Sequence, residues 1–488
     1  MDRSTPAWIV IVTATISAIC LCVLPAAAVE RAPWGTADQA DHGDAESWLD
    51  LESHHMRLND STLDPGGYHT RLDDAALEGD GRRARLEDVP RGTDIFALSN
   101  NSDPSGPAAL GDSAAPSGNY GCAERLGDCN CGSCDDCLSC CCGSGRLWVK
   151  GEYLLWWARG NRVPPLVSTS PSGTPIMQAG VLGTPGASVL FGGRRVDTDE
   201  RDGGRLSFGY WLDDAHRTAV EASYFTLGDG GNSGNFTAQA AGDPILARPF
   251  INAFLNGRSD SSVVAFPNFV SGLVAVSTSS ELHSASLSLR QNWYGDFNAR
   301  VDLIGGYRYF RFREGLAIRE DLLFGGVNID RVDRFVTEND FHGVELGFVT
   351  EFEQNCWSLE FLTKIALGNV NQVVNVSGET FINNALRDNS GLLALRSNIG
   401  EQSADELAIL PELGINFRYQ ATRSLSLTLG YSLLYLSEIV RTGDQIDTTL
   451  NPTQLLGGNL VGPNRPLPQL NATDLWAQGF GVGLQWER

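Results

Sequence analysis

Lysine is nearly absent from this 488-residue chain; Lys150 and Lys364 are the only two. The basic charge rests on arginine and falls far short of the acidic, leaving a net charge of -23 at pH 7. Nucleic acid is thereby excluded as a partner, because phosphate binding needs a basic surface. Methionine occurs only three times. Beyond the first 28 residues no stretch is apolar enough for a membrane helix. If this chain crosses a membrane, it must do so with strands, whose backbone groups are satisfied between neighbours.

What is present begins with an export signal. Arg3 precedes an apolar run from Ala7 to Leu24, and Ala26, Ala27 and Ala28 supply small residues for cleavage. Residues 1–28 read as a secretory signal peptide. The rival readings are a membrane anchor, given the length of the run, and a lipoprotein using Cys20 or Cys22. Residues 29–121 are polar and acidic, with acidic runs near Asp38–Asp50 and Asp73–Asp80, and show no sustained period. Such a segment cannot bury enough apolar surface to offset chain entropy, so a disordered extension is expected.

Residues 122–146 form a cysteine-rich linker. Its eight cysteines are Cys122, Cys129, Cys131, Cys134, Cys137, Cys140, Cys141 and Cys142. In an exported protein a disulfide knot is the first reading. Zinc or an iron–sulfur cluster is the alternative, and connectivity does not follow from spacing. No cofactor is assigned.

From Leu147 onward the pattern has period 2. Apolar and aromatic residues alternate with polar ones over 147–157, 203–212, 218–227, 281–294, 298–312, 341–353, 356–368, 410–420, 424–437 and 474–487. In 424–437, for example, Leu425, Leu427, Leu429, Tyr431 and Leu433 oppose Ser424, Ser426, Thr428 and Ser432. Successive strand side chains point to opposite faces, so each segment reads as a strand with one apolar face. Short gaps (213–217, 295–297, 354–355, 421–423) alternate with long ones (158–202, 228–280, 313–340, 369–409, 438–473). Short periplasmic turns and long outer loops are the asymmetry of an outer-membrane barrel. The expected fold is all-β: a transmembrane antiparallel up-and-down β-barrel of about ten strands over 147–488, embedded in the outer-membrane bilayer. Apolar runs at Ser188–Phe191 and Gln372–Val376 leave a twelve-strand version open. A soluble sandwich or lipocalin-like barrel would show the same alternation with its apolar face inward. Aromatic residues at strand ends and the loop asymmetry favour the membrane.

Several stretches resemble a planctomycete family of predicted outer-membrane β-barrel proteins, family 7. They are GEYLLWW (151–157), VPPLVSTSP (163–171), VLFGG (189–193), GGRLSFGYWL (203–212), ASYFTL (222–227), GGYRYF (305–310), NDFHGVELGF (339–348), LPELGINFRYQ (410–420), GYSLLYLSEIVRTGDQID (430–447), NPTQL (451–455) and TDLWAQGFGVGLQW (473–486). The resemblance implies a barrel, no established activity and no catalytic or binding residues. One departure is Thr442, where the family more often has proline.

The inward face carries a mixed set of charges: Arg205, Glu221, Arg290, Arg300, Asp302, Arg308, Glu345, Glu360, Lys364, Glu412 and Arg418. A ten-strand interior is narrow, so these side chains are expected to pair and fill it. Three roles follow in order: a structural or surface-interaction barrel with a narrow or plugged lumen, a porin-like channel for small solutes, and a surface hydrolase. The last would need a rim pair such as Asp340 and His342; no G-x-S-x-G elbow occurs in the strands and no phosphate loop is visible. Asp444 and Asp447 stand three apart, a spacing at which oxygen ligands can hold Ca²⁺, although a turn held by aspartate hydrogen bonds is the simpler reading. Gly325 and Gly326 read as loop hinges, and Cys356 as a turn residue.

Overall fold

In the computed structural model the described residues are 145–229, 234–296 and 298–488. The signal peptide, the acidic extension and all eight clustered cysteines lie outside them. Ten strands form a ring: β1 (Leu147–Ala158), β2 (Glu200–Trp211), β3 (Thr218–Leu227), β4 (Val270–Gly295), β5 (Ala299–Phe324), β6 (Val327–Gln354), β7 (Trp357–Ile382), β8 (Gly400–Gln420), β9 (Leu425–Val440) and β10 (Ala472–Glu487). Each pairs antiparallel with the next, and β10 returns to β1, so the sheet closes. Glu152 of β1 faces Gly483 of β10 on one side and Arg205 of β2 on the other. Closure leaves no unpaired edge in the membrane, which is what lipid demands of a sheet.

The short turns stand where the sequence puts them. The Asp213 carboxylate accepts the Arg217 and Thr218 N–H groups at 3.0 and 2.7 Å, holding the β2–β3 turn. Both ends of the described chain meet beside these turns, with Leu147 and Arg488 exchanging backbone hydrogen bonds of 2.9 and 2.8 Å. This is the periplasmic end by the asymmetry of such barrels.

The apolar face points outward over the membrane section. Leu206, Phe208, Leu287, Leu289, Val344, Leu346, Ile365, Leu427 and Val482 are all exposed large hydrophobics. A soluble barrel would bury them.

All five long stretches expected as loops contain strand. β4 to β7 run 26 to 28 residues, whereas about ten tilted residues suffice to span the hydrocarbon. The interval 313–340 is continuous hairpin, not loop, and Gln372–Val376 simply prolongs β7. Gly325 and Gly326 are therefore no hinge. They form the two-residue β5–β6 turn, with φ of 57° and 83°, the doubly positive geometry that matches strand twist. Ser188–Phe191 joins a separate sheet with Val167–Thr169, Leu246–Asn252, Arg258–Ala265 and Thr449–Leu450. The ring stays at ten strands, and this small sheet packs inside the projecting walls as a cap. Leu246, Phe250, Val167 and Phe191 of the cap share one buried core with Leu316 and Ile318 of β5, Phe335 of β6 and Val374 of β7.

Near the tip of the projecting hairpin Asp321 and Asp330 lie directly opposite. Burial and then the neighbouring Asp321 carboxyl push the Asp330 carboxyl up to about 6, while Arg319 reaches both side chains at 3.3 and 3.1 Å. A raised carboxyl favours the folded tip below the ordinary carboxylate range, and that contribution is lost as pH rises through about 6. Carboxyl ¹³C shifts should show a step near pH 6 that Asp330→Asn removes; a lone step near pH 4 would refute the pairing.

Candidate functional site

The lumen divides into three levels. At the periplasmic end lies a chamber of about 770 Å³, whose lining includes Trp148, Trp211, His216, Asn355, Cys356 and Gln420 near the mouth. All eleven inward charges read from the sequence line it except Asp302 and Glu345, which sit directly behind it in ion pairs with lining residues. Alternation puts them there: outward positions take lipid contact, so every second residue faces the chamber.

Six strands contribute to one string of charges across the chamber. Lys150 Nζ lies 2.9 Å from Glu152, whose other oxygen is 3.8 Å from Arg205. Arg205 is 3.7 Å from Glu412, and Glu412 is 3.0 Å from Arg308. Arg308 continues to Glu345 at 3.3 Å, and Glu345 ends on Lys364 at 3.1 Å. A second set lies nearer the mouth. Arg290 and Arg300 share Asp302 at 2.5 and 2.8 Å, and Arg418 gathers Glu351, Glu353 and Glu487. Glu360 accepts from Asn416 at 2.9 Å. Glu221 lines the chamber beside Arg290, with no ion pair found at it among the described residues. Lys150, Glu152, Glu351, Glu353 and Glu487 complete the set. The first three stood on the polar side of their strands in the sequence, and Glu353 and Glu487 lie at strand ends where alternation says least.

Above the charges the inner face turns apolar. Leu154 and Trp156 (β1), Phe225 (β3), Leu282 (β4), Phe310 and Phe312 (β5), Phe341 (β6), Val370 (β7), Leu410 (β8), Leu434 and Leu436 (β9) and Leu475 (β10) form one buried cluster. Each is at most 3% exposed. The cluster is a septum across the lumen. Its underside carries the charge string, with the Arg205 guanidinium 5.5 Å from the Trp156 ring and 5.2 Å from Phe225, within cation–π range. This layer was not foreseen, because the lumen was expected to be polar and filled by paired charges.

A plug sits on the septum. Past Leu436 β9 turns inward, away from β8 but still paired with β10 at Ile439 and Val440: Glu438 takes φ of 52°, and Val440 exchanges hydrogen bonds with the Asn339 side chain of β6 at 2.7 and 2.9 Å. Arg441, 2% exposed, meets Glu314 of β5 through two nitrogens and donates to the carbonyls of Arg159 and Gly160 at 2.6 and 3.1 Å. Gly443 fits because a side chain there would meet the Arg162 carbonyl. The RTGDQID stretch is thus lumen filling. Asp447 accepts from Thr449 N–H, Leu467 N–H and Arg465, a turn held by aspartate. No trio of His, Cys, Asp or Glu side chains suited to a metal occurs among the described residues. A final lock ties the cap down: Asp333 accepts three N–H groups from Leu392, Leu393 and Ala394 at 2.8–2.9 Å and meets Arg248 at 2.7 Å.

Of the three described histidines, His216 lines the chamber and the other two serve the outer wall. His283 pairs with the Tyr224 hydroxyl at 2.9 Å and His342 with that of Tyr307 at 2.5 Å. Asp340 accepts instead from Tyr309 at 2.7 Å. Asp340 and His342 thus have separate partners, with no hydrogen bond between them among the described residues.

The sequence profile of the family described as "Putative beta barrel porin-7 (BBP7)" matches residues 148–487. No curated protein is similar. Among solved structures, the outer membrane protease OmpT from Escherichia coli is 10% identical, covers 70% of this chain and 97% of its own, and superposes with a TM-score of 0.32. A TodX monoaromatic hydrocarbon channel mutant is 9% identical over 70% and 90%, with a TM-score of 0.20. The Ralstonia pickettii toluene transporter TbuX is 10% identical over 71% and 90%, with a TM-score of 0.14. Superpositions this loose assign no activity. The profile match spans all ten strands of a closed ring with an apolar outer face: the chain is an outer-membrane barrel protein and belongs to the beta barrel porin-7 family.

Proposed function

We propose that this protein is a sealed outer-membrane barrel with a structural or surface-interaction role, neither a diffusion pore nor an enzyme. The septum carries this reading. A water-filled path needs polar lining, and here a layer of buried apolar side chains from nine of the ten strands separates the chamber from the outer end. The cap and plug add a second closure, and the wall of β4 to β7 holds the folded cap well clear of the bilayer. The chamber alone favours a porin-like channel, since it is open to the periplasmic end and lined by charge; that channel would have to displace both septum and plug.

Purified protein in planar bilayers should give a flat baseline under applied voltage. Discrete openings in the unmodified protein would overturn the proposal in favour of the channel.

A further inference from the structure

The ring is closed in the membrane but not above it. The first half of β8, Gly400–Pro411, pairs with β7 on one side. On its other side the ladder with β9 begins only where Glu412 faces Leu434. The cause is the inward departure of β9 described above. Pro411, which has no N–H to offer, stands where the ladder stops. Among the described residues, one hydrogen bond reaches this edge, from Ile409 N–H to Ser437 Oγ at 3.0 Å. It fixes the parity. Ile409 aims its backbone groups away from β7, so Leu407, Asp405, Ser403 and Glu401 do the same.

An open edge is a template for another strand, and proteins ordinarily cover or blunt it. This one is exposed at Glu401, Ser403, Asp405, Glu406 and Leu407. From Gly400 to Pro411 it runs about 40 Å at about 3.3 Å per residue. Its charge has one sign: Glu401, Asp405 and Glu406, with no Lys or Arg from Gly400 to Glu412. Asp405 is fixed in place by the amides of Asn369 and Asn371, each at 3.0 Å. Leu407, 70% exposed, and Ile409, 39% exposed, give the edge an apolar flank.

We infer that this edge binds an extended polypeptide segment bearing Lys or Arg, added as a strand beside β8. Main-chain hydrogen bonds supply the attachment and the carboxylates select the charge. A second copy fits worse, because two-fold pairing of the edge sets like carboxylates against each other. The chain's own extension at 29–121 is acidic as well. The inference rests on the surface-interaction reading and gives it a partner; it does not depend on the seal.

The test uses the full-length barrel in lipid nanodiscs and a ten-residue peptide of alternating Val and Lys. Binding is expected, at least tenfold weaker for the alternating Val and Glu peptide. Ser403→Pro removes one outward N–H without touching the β7 ladder and should also weaken binding at least tenfold. Should that variant fail to fold, a Val–Lys peptide N-methylated at every residue, which has no donor left on either edge, does the same work from the other side. Absent binding, equal binding of both peptides, or binding insensitive to both proline and N-methylation overturns the inference. So does a dimer, formed without peptide, that Ser403→Pro dissolves. A flat bilayer baseline beside any of these failures leaves the sealed-barrel reading standing.

Discussion

A barrel with residues 441–470 replaced by a tight turn, and with Phe310→Ala and Phe341→Ala, should open discrete ion-conducting events where the parent stays silent. Phe310 and Phe341 face each other across β5 and β6 and are both fully buried in the septum. The deletion removes the plug whose Arg441 guanidinium lies over Phe312 of the same cluster. What remains is a gap between a wet chamber of about 770 Å³ and the outer end. Each truncation costs roughly 3–5 kcal/mol, but the closed backbone ladder is untouched. Heat-modifiable migration on gels would confirm that the variant is folded. A flat baseline from folded protein would mean that the septum and plug are not the seal.

Arg308→Met should lower the unfolding free energy of the barrel by about 3–5 kcal/mol, the usual penalty for leaving buried charge unpaired. Arg308 is 4% exposed, and its loss strips a partner from Glu345 and Glu412 together. Adding Glu412→Gln should restore part of the loss, because the stranded charge goes with it. Arg313→Met is the control. Its partner Glu338 lies on the outer wall, and the arginine side chain is 51% exposed, so a change below about 1 kcal/mol is expected. Urea titration in lipid vesicles reads all three. Equal effects of Arg308→Met and Arg313→Met would show that the string contributes little.

The ten strands were legible because lipid imposes a strict rule on every second residue. Leu303 and Tyr307 must face out, so Asp302 and Arg308 face in. The upper halves were hidden by an inversion of the same rule. Beyond Tyr309, β5 keeps its alternation but swaps its phase. Phe310, Phe312, Leu316 and Ile318 are buried inside, while Arg311, Arg313 and Arg319 face solvent. Water has replaced lipid outside, and a folded cap has replaced water inside. Read with one fixed rule, the inverted stretch looks like a loop. The septum was missed at the crossover, where both faces are apolar, as in Leu154, Leu155, Trp156 and Trp157. The charge string itself was largely visible; its partners were not, since pairing across a ring depends on which strands close it. Arg441 and Asp333 gave no signal, because each lies in a stretch whose sequence looks like surface.

The string of charges also has a consequence for assembly. Arg205 stands on β2 and Glu412 on β8, and between them in the ring lies the join of β10 to β1. Their contact therefore exists only once the two ends of the chain have met. Until that moment Glu412 has Arg308 but not Arg205, and Glu152 lacks the bridge that carries it to the far wall. The last step of closure is thus the step that completes charge neutralisation, and a barrel left ajar keeps an electrostatic pull toward its own missing seam.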